Sequence, residues 1–428
     1  MTIPMIFGMM SMVIFNLADA FFVGKLGADE LAALSFTFPV VLVINSIAVG
    51  LGLGSSAIIS KLFGQEKLEE IKKYSLASLI LGIVIIVIVS TIGFLSVRSL
   101  FKVLGADGVV LEFIISYMRI WFIGSIFVAI PMIGNNIIRA SGNTLVPGMI
   151  MLFSAIANII MDPLFIFGIG PFPELGIRGA AISTVFARFG SATFAVYYLT
   201  KRIGAVSFIK IKFSKLFFIW KRILFIGVPN AMVKMALPVA AGLITRLIST
   251  FGNQAVAGFG VATRIEFFAM SFIAALASIL GPFIGQNLGA KKTNRVREGK
   301  KLGETFSILI GIITAILLGV FAKPIAKIFS KDPKIIETTI LYIRIVPVAY
   351  GLQGIMKIGT NILNVLEKPF QAISILILQL FIIYLPFAYL TSKYFGLKGI
   401  FVSLAASYFI AGAYAHFKLD KELRIFMK

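Results

Sequence analysis

Asn16-Leu-Ala-Asp-Ala-Phe-Phe-Val-Gly-Lys-Leu-Gly27 closes the first long apolar run of the chain and places Asp19 near the end of that run. Residues 3–18 carry no charge, so the Asp19 carboxylate lies among groups that cannot solvate an anion. A charge in such surroundings is costly and marks a functional site by default, although an Asp at a helix end also caps the loop that follows. Asn16, on the same helical face, is placed to share whatever Asp19 binds. The segment therefore predicts a membrane-embedded helix whose carboxylate holds a proton or a cation.

The composition indicates a polytopic membrane protein. Of 428 residues, 59% are hydrophobic and 14% are charged, and the mean hydropathy is +1.00, which is too apolar for a water-soluble chain of this size. The net charge of +22 does not indicate nucleic acid as a partner, because most basic residues lie in short connections between apolar runs. The absence of cysteine excludes disulfides and thiolate metal sites. The single histidine, His416, is expected at the level of the lipid headgroups.

Twelve apolar runs are long enough to cross a bilayer, and they predict an all-α protein with twelve transmembrane helices. They fall near residues 3–24, 36–60, 75–97, 111–137, 146–169, 179–200, 223–250, 255–283, 303–322, 335–363, 371–391 and 399–417. Lys and Arg concentrate in alternate connections, of which 201–222 is the longest and most basic. Because basic connections stay on the cytoplasmic side, both termini are predicted to be cytoplasmic.

The two halves of the chain repeat each other across this basic connection. Identical residues match at a shift of 225 positions, without a gap, at Gly27 and Gly252, Gly64 and Gly289, and Tyr117 and Tyr342, and at a shift of 220 at Gly179 and Gly399. Six helices is an even number, so both halves start on the same side and are related by a pseudo-two-fold axis along the membrane normal. The predicted domains are an N-terminal six-helix lobe (1–200), a basic cytoplasmic linker (201–222) and a C-terminal six-helix lobe (223–428). A carrier with its substrate path between the lobes is the natural architecture.

Three acidic residues lie deep within the apolar runs, namely Asp19, Asp162 and Glu266. At the repeat offset, Asp19 corresponds to Ile244 and Asp162 to Leu385. The shared scaffold explains the positions at which the two halves have the same residue, whereas a chemical function specific to one half requires residues that differ between them. The two aspartates therefore assign the predicted chemistry to the N-terminal lobe.

The fifth predicted span contains the second element of this site. It reads Asn158-Ile-Ile-Met-Asp162-Pro163, with the amide and the carboxylate one turn apart on one face. Pro163 has no N–H, so the carbonyl four residues earlier loses its helical partner and becomes a further available oxygen. At 1.5 Å per residue, Asp19 lies roughly 7 Å and Asp162 roughly 10 Å from the outer ends of their helices, and Thr184 reaches a similar depth. Two carboxylates in one apolar pocket share a proton or bind a monovalent cation.

An ion gradient is the predicted energy source, because the sequence contains no Walker A or other phosphate-binding motif. The run Gly50-Leu-Gly-Leu-Gly54 resembles a dinucleotide-binding loop only superficially. It lies inside the second span, where small residues allow close helix packing. We therefore predict that these glycines are packing positions.

The Asn16–Gly27 segment, the Gly27/Gly252 and Gly64/Gly289 matches, the Asn158–Pro163 element and the duplication of six helices together resemble the multidrug and toxic compound extrusion (MATE) family, in particular its prokaryotic DinF-like branch. The resemblance covers essentially the whole chain. It implies a V-shaped pair of six-helix bundles that exports amphipathic, often cationic, compounds in exchange for protons or sodium ions.

Several residue roles follow from the resemblance alone. Asp19, Asn158, Asp162 and Thr184 would form the cation-coupling site of the N-terminal lobe, with Asp19 and Asp162 as metal ligands if the ion is sodium. Pro4 would mark where the first helix bends. The implied protein is a monomeric, multi-pass transporter of a prokaryotic cell (inner) membrane, not an enzyme, with small amphipathic molecules and the lipid bilayer as partners and no cofactor besides the transported ion.

The remaining intramembrane charges leave alternatives open. Glu266 contacts a cationic substrate in the C-terminal lobe, or it forms an internal ion pair with Arg264, Arg246 or Lys234. Lys234 stands in the seventh helix, where another branch of the family carries a glutamate. Lys357, near the inner end of the tenth span, is expected to extend to the membrane surface.

Two other functions compete with the exporter. A flippase for lipid-linked precursors, from the same broader superfamily, would need a more cationic cavity, which only Lys234, Arg246 and Arg264 suggest. A membrane-embedded enzyme would need clustered His, Asp or Glu, and one histidine with three scattered acids does not meet that need.

Overall fold

The computed structural model describes residues 2–207 and 209–426, and within the first helix it does not describe the side chains of residues 2–4, 6, 9, 12, 13, 16 and 17. The helices are α1 (Thr2–Gly24), α2 (Ala28–Gly64), α3 (Leu68–Val103), α4 (Gly108–Gly124), α5 (Ile126–Ala140), α6 (Leu145–Phe167), α7 (Ile177–Tyr197), α8 (Phe213–Ser249), α9 (Asn253–Gly289), α10 (Thr293–Val320), α11 (Ala322–Phe329), α12 (Pro333–Ile345), α13 (Tyr350–Val365), α14 (Pro369–Ile377) and α15 (Leu385–Phe426). Pro4 lies in α1 but outside the described side chains, so the predicted bend there stays a prediction.

The predicted twelve-helix, two-bundle fold is confirmed. Nine helical segments of the described chain are long and apolar enough to cross a membrane, or ten when the bent pair α4 and α5 counts as one span. A 3₁₀ turn at Val346–Ala349 joins α12 to α13, and a π-helical segment at Leu378–Tyr384 joins α14 to α15. Gly396 breaks α15 with a φ of 58°, which divides the last segment into two spans. With α1, these segments make twelve crossings in the described chain.

The fourth span is bent by 47° between α4 and α5, whereas the sequence predicted one continuous run at 111–137. Ser125 lies at the break. Its hydroxyl donates to the Phe122 carbonyl at 2.7 Å, and its oxygen lies 2.6 Å from the Ser90 hydroxyl oxygen. A serine that binds a carbonyl of its own helix competes with the helical hydrogen bond and bends the helix.

The described chain forms two compact units, with the boundary between Ala231 and Met232 inside α8. The first includes residues 203–207 and 209–212, which are not helical and lie between the π-helical segment Tyr198–Arg202 and the start of α8. The division into lobes 1–200 and 223–428 with a linker at 201–222 stays a prediction.

The glycines of α2 are packing positions, as predicted. A Cβ at Gly50 would lie 2.5 Å from the Gly227 carbonyl oxygen, and one at Gly54 would lie 2.6 Å from the Ile223 carbonyl oxygen. Side chains at these positions would push α8 away, so the glycines allow the first half of α8 to pack directly on α2.

Each unit has its own apolar core. In the first unit, Trp121, Phe122 and Phe101 are buried among aliphatic residues of α2 to α7. In the second, the rings of Tyr342 and Phe401 meet edge to face, with centroids 5.0 Å apart. These cores fix the helices that carry the intramembrane acids.

Candidate functional site

Helix α6 carries the centre of the candidate site in the first unit. Asn158 and Asp162 lie one turn apart, and both side chains are completely buried. Asp19, on α1, is 9% exposed and interacts electrostatically with Asp162. The structure therefore brings together the two aspartates that the sequence singled out.

Helix α7 closes the site next to Asn158. The Asn158 amide Nδ2 donates a hydrogen bond to the Thr184 hydroxyl oxygen over 3.3 Å. The helices approach closely here, because a Cβ at Gly179 would lie only 2.5 Å from the carbonyl carbon of Phe165. Thr184 thus belongs to the same cluster as Asn158 and Asp162, as its depth along the chain predicted.

The oxygen atoms of this cluster lack donors. Both carboxylate oxygens of Asp162, the Asn158 carbonyl oxygen and one oxygen of Asp19 are buried without a hydrogen-bond partner among the described residues. Ser183 lies beside Asp162, but its hydroxyl donates to the Gly179 carbonyl at 2.7 Å. Buried acceptors normally have partners, and leaving one unpaired costs about 1–3 kcal/mol. A proton or a small cation satisfies such a set of oxygens.

Pro163 adds a backbone acceptor. It lies inside α6, and because it has no N–H, the carbonyl of Ile159 cannot receive its helical hydrogen bond. This carbonyl lies one turn before the Asp162 carboxylate. Carboxylate, amide and carbonyl oxygens are the ligands that a hard monovalent cation prefers.

Tyr117 is a further residue of the candidate site, and the sequence reasoning did not identify it. It is buried on α4 and interacts electrostatically with both Asp19 and Asp162. Its match with Tyr342 in the repeat was noted but was assigned to no site. A phenol hydroxyl is a hydrogen-bond donor, and the cluster is otherwise rich in acceptors.

A small cavity of about 10 Å³ adjoins Thr184 and is lined in part by Phe15, Ser154 and Arg188. This is close to the smallest volume that holds one water molecule. The Arg188 guanidinium lies 5.7 Å from the centre of the Phe15 ring. The cavity gives the hydroxyl side of the site room for a single hydrating molecule.

Glu266 occupies a different environment in the second unit. Tyr342 donates its hydroxyl to one carboxylate oxygen, and the Gln353 amide nitrogen lies 3.4 Å from the other. Within the described chain, Glu266 forms no ion pair with Arg264, Arg246 or Lys234, the partners considered from the sequence. The Tyr342 hydroxyl and the Gln353 amide therefore contact Glu266 in place of the ion pair, which was one of the two alternatives.

The expectation that Lys357 extends to the membrane surface stays a prediction. Its side chain is half-buried, and its charge interacts with those of Glu266 and Lys234 inside the unit. Lys357 lies in the middle of α13. Among the described cations, Lys357 is therefore the one whose charge acts on Glu266.

No group of three or more His, Cys, Asp and Glu side chains that could hold a metal ion occurs among the described residues. Asp19 and Asp162 supply two carboxylates, together with neutral oxygens. That donor set matches a proton or a monovalent ion better than a transition metal.

Two bundles of membrane-spanning helices, with paired carboxylates buried in one of them, define a membrane transporter. The sequence profile described as MatE matches residues 4–164 and 229–390, two ranges that begin 225 positions apart, like the internal repeat. The chain therefore belongs to the MATE family of transporters, which are not enzymes.

Individual relatives agree with this assignment. A protein of Shewanella oneidensis described as an FAD transporter is 36% identical over 96% of this chain and 91% of its own length. The multidrug export protein MepA of Staphylococcus haemolyticus is 27% identical over 94% of this chain and 88% of its own. The Vibrio cholerae MATE transporter VcmN in its bent form superposes with a TM-score of 0.93 and 31% identity, over 99% of this chain and 96% of that one. The chain is thus a multi-pass membrane transporter of multidrug type for small molecules.

Proposed function

We propose that this transporter is a cation-coupled antiporter in which Asp19, Asn158, Asp162 and Thr184 bind a proton or a sodium ion. The observation that carries the proposal is the set of buried oxygen atoms around Asp162 that have no donor among the described residues. The chain supplies no ATP-binding motif, so the gradient of the bound ion drives export.

Coupling requires that the ion and the substrate stabilise different conformations. Ion binding offsets the repulsion between the two carboxylates and supplies the partner that their oxygens lack. Because α1, α4, α6 and α7 all contribute to the cluster, occupancy changes how these four helices pack. The resulting shift releases substrate on one side of the membrane.

Reconstituted transport tests this proposal. Asp19→Asn and Asp162→Asn keep the side-chain volume and remove the charge, and each is expected to lower gradient-driven efflux at least about tenfold, the effect of losing about 1.4 kcal/mol of coupling. Asp29→Asn is the matched control, because Asp29 is exposed in the first turn of α2. Wild-type efflux in both buried variants would contradict the proposal.

A second measurement identifies the ion. Efflux from vesicles is followed after a pH step at constant sodium, and after a sodium step at constant pH. A proton antiporter responds to the first step alone, and a sodium antiporter responds to the second. An oxygen cluster of this kind serves either ion.

The relatives suggest two of the three candidate classes of substrate. Amphipathic cations are expected from the multidrug-type relatives, and Glu266 is the proposed contact for them. The second candidate is an anionic flavin nucleotide, favoured by the FAD transporter relative and by three exposed basic side chains within the second half of α8 and α9, namely Lys234, Arg246 and Arg264. A competition assay between a fluorescent cation and labelled FAD separates the two classes. Glu266→Gln is expected to weaken binding of the cation and to leave binding of FAD unchanged.

A lipid-linked precursor is the third candidate substrate, since its diphosphate would also bind basic side chains. A flippase assay with such a lipid tests it directly. We further propose a monomer in a prokaryotic cell membrane with both termini in the cytoplasm. Protease access to tags placed at the two ends, in intact cells and in inverted vesicles, tests that orientation.

A further inference from the structure

The connection between the two predicted lobes carries basic charge that is not paired within the protein. Residues 201–222 contain seven Lys and Arg side chains and no acidic one. Two of the seven contact α3, because Lys215 forms an ion pair with Glu70 at 2.8 Å and Arg222 donates to the Tyr74 hydroxyl at 3.0 Å. The other five are exposed and form no ion pair with any residue that the structure describes, and they are Lys201, Arg202, Lys210, Lys212 and Lys221.

The start of α8 is held against α3 by one face of the helix. Besides the contacts of Lys215 and Arg222, the Trp220 indole Nε1 donates to the Ala77 carbonyl at 3.0 Å. The two acids in the first turn of α3 already contact lysines of α3 or of α8. Their charges are therefore not available to the exposed lysines, and the opposite face of α8 is left to contact the surroundings of the protein.

This outward face of α8 combines aromatic rings with one lysine. Phe213, Phe217, Lys221 and Phe225 follow one another at intervals of four residues, which places them on one face of the helix. All four are exposed, and Phe213 and Phe217 are 77% and 63% exposed. Large exposed apolar groups on a membrane-spanning helix mark a surface that contacts lipid. Lys221 therefore has lipid, rather than a protein carboxylate, as its neighbour.

The length of α8 places its first turns at the level of the lipid headgroups. The helix has 37 residues and is about 55 Å long, whereas the hydrocarbon core of a bilayer is about 30 Å thick. The apolar run predicted to cross the core is 223–250, so residues 213–222 extend about 15 Å beyond it. Lys210 and Lys212 immediately precede this part of α8. Lys221 reaches the same level, because helical side chains lean toward the N-terminal end and a lysine extends its ammonium group to the membrane surface.

We propose that Lys210, Lys212 and Lys221, together with Phe213 and Phe217, form a binding site for an anionic phospholipid such as phosphatidylglycerol. The ammonium groups bind the phosphodiester, and the rings contact the upper part of the acyl chains. An anionic lipid satisfies both halves of this surface, whereas a zwitterionic headgroup carries no net charge to balance the lysines. None of these residues belongs to the coupling cluster, so the inference does not depend on the proposed antiport.

Tryptophan fluorescence tests the proposal, because the chain contains two tryptophans. Trp121 is buried in the core of the first unit, whereas Trp220 is partly exposed near the start of α8. Trp121→Phe therefore leaves Trp220 as the single reporter. Brominated acyl chains quench a tryptophan that they contact, so the protein is reconstituted in phosphatidylcholine vesicles that contain a minor fraction of brominated phosphatidylglycerol or of brominated phosphatidylcholine. We expect the phosphatidylglycerol to bind next to Trp220 at least about tenfold more strongly.

Neutral substitutions show whether the lysines cause this preference. Lys210→Gln combined with Lys212→Gln is expected to lower the preference for phosphatidylglycerol at least about fivefold. The matched control combines Lys323→Gln with Lys327→Gln, which remove the same charge from exposed positions of α11 in the second unit. We expect the control to keep the full preference.

Three results would overturn the proposal: equal quenching by the two lipids, an unchanged preference in the double lysine variant, or relief of quenching by soluble glycerol 3-phosphate, which would identify a free phosphate ester as the ligand. Native mass spectrometry of the chain with both tryptophans counts bound phosphatidylglycerol directly, so the test does not depend on the folding of Trp121→Phe. Asp19→Asn is expected to impair transport and to keep the lipid preference, so the two proposals fail separately.

Discussion

Replacing Gly179 with alanine tests whether the contact between α6 and α7 positions the coupling site. The added Cβ would lie 2.5 Å from the carbonyl carbon of Phe165 and 2.8 Å from the backbone nitrogen of Ile166. Both partners are backbone atoms and cannot rotate away. Ordinary carbon contacts begin near 3.5 Å, so α7 must move by about 1 Å. Such a movement lengthens the 3.3 Å hydrogen bond from Asn158 to Thr184 beyond its useful range.

The expected cost combines three contributions. Overpacking costs about 1–3 kcal/mol, and the lost hydrogen bond costs about 1 kcal/mol. The gain in helix propensity from glycine to alanine returns about 0.5–1 kcal/mol. We expect Gly179→Ala to destabilise the first unit, of about 230 residues, by about 2 kcal/mol, which lowers the melting temperature of that unit by about 4 °C.

Gly190 provides the matched control on the same helix. A Cβ there has no atom within 4 Å among the described residues, so Gly190→Ala gains propensity alone and is expected to raise the melting temperature by about 1–2 °C. Thermal unfolding in detergent measures both variants, and reconstituted efflux measures the effect on coupling. If Gly179→Ala melts and transports like Gly190→Ala, the close approach of α6 and α7 does not position the site.

Three further outcomes are expected. Gly311→Ala should destabilise the second unit by about 1–3 kcal/mol, because the added Cβ would lie 2.6 Å from the Cα of Gly351. The control is Gly319→Ala on the same helix, whose added Cβ would meet no described atom within 4 Å and should not destabilise the unit. Thermal unfolding measures both variants. Tyr117→Phe should lower ion-driven efflux about fivefold, because it removes a polar group, worth about 1 kcal/mol, that interacts electrostatically with both aspartates, and wild-type rates would contradict this role. The hydrogen bond from Lys215, at 2.8 Å, holds the pKa of Glu70 below its ordinary value of 4.5. The ionised Glu70 therefore stabilises the fold above pH 4.5, and this stabilisation is lost as the pH falls through the lower pKa of the folded state. Glu70→Gln should remove up to about 1 kcal/mol of stability at neutral pH and should flatten this acid dependence of the melting temperature.

The sequence predicted the helices well, because membrane spans are specified by long apolar runs that need no knowledge of their neighbours. It also selected Asp19 and Asp162, since a carboxylate in an apolar run is rare enough to stand out. Asn158 and Thr184 followed from helical spacing and depth. Each of these inferences depends on a local pattern or on a distance along one helix.

The features that were missed depend on contacts between helices. Tyr117 is an ordinary aromatic residue in an apolar run, and nothing in its own helix indicates that its hydroxyl lies near two carboxylates. Its pairing with Tyr342 in the repeat was the available sign, since Tyr342 donates to Glu266. The bend at Ser125 likewise depends on a contact with Ser90, a residue of another helix.

The two units can be compared at the tyrosine that the internal duplication repeats. In each unit, a buried carboxylate interacts with the repeated tyrosine, electrostatically with Tyr117 in the first and through a hydrogen bond from Tyr342 in the second. In the second unit, Tyr342 and Gln353 donate to the acid, so its oxygens are already satisfied. In the first unit, both carboxylate oxygens of Asp162 lack a hydrogen-bond partner among the described residues. A satisfied carboxylate gains little from binding an ion, whereas an unsatisfied one gains the whole interaction. We therefore expect ion occupancy to change the packing of the first lobe much more than that of the second, which restricts coupling to one half of a duplicated scaffold.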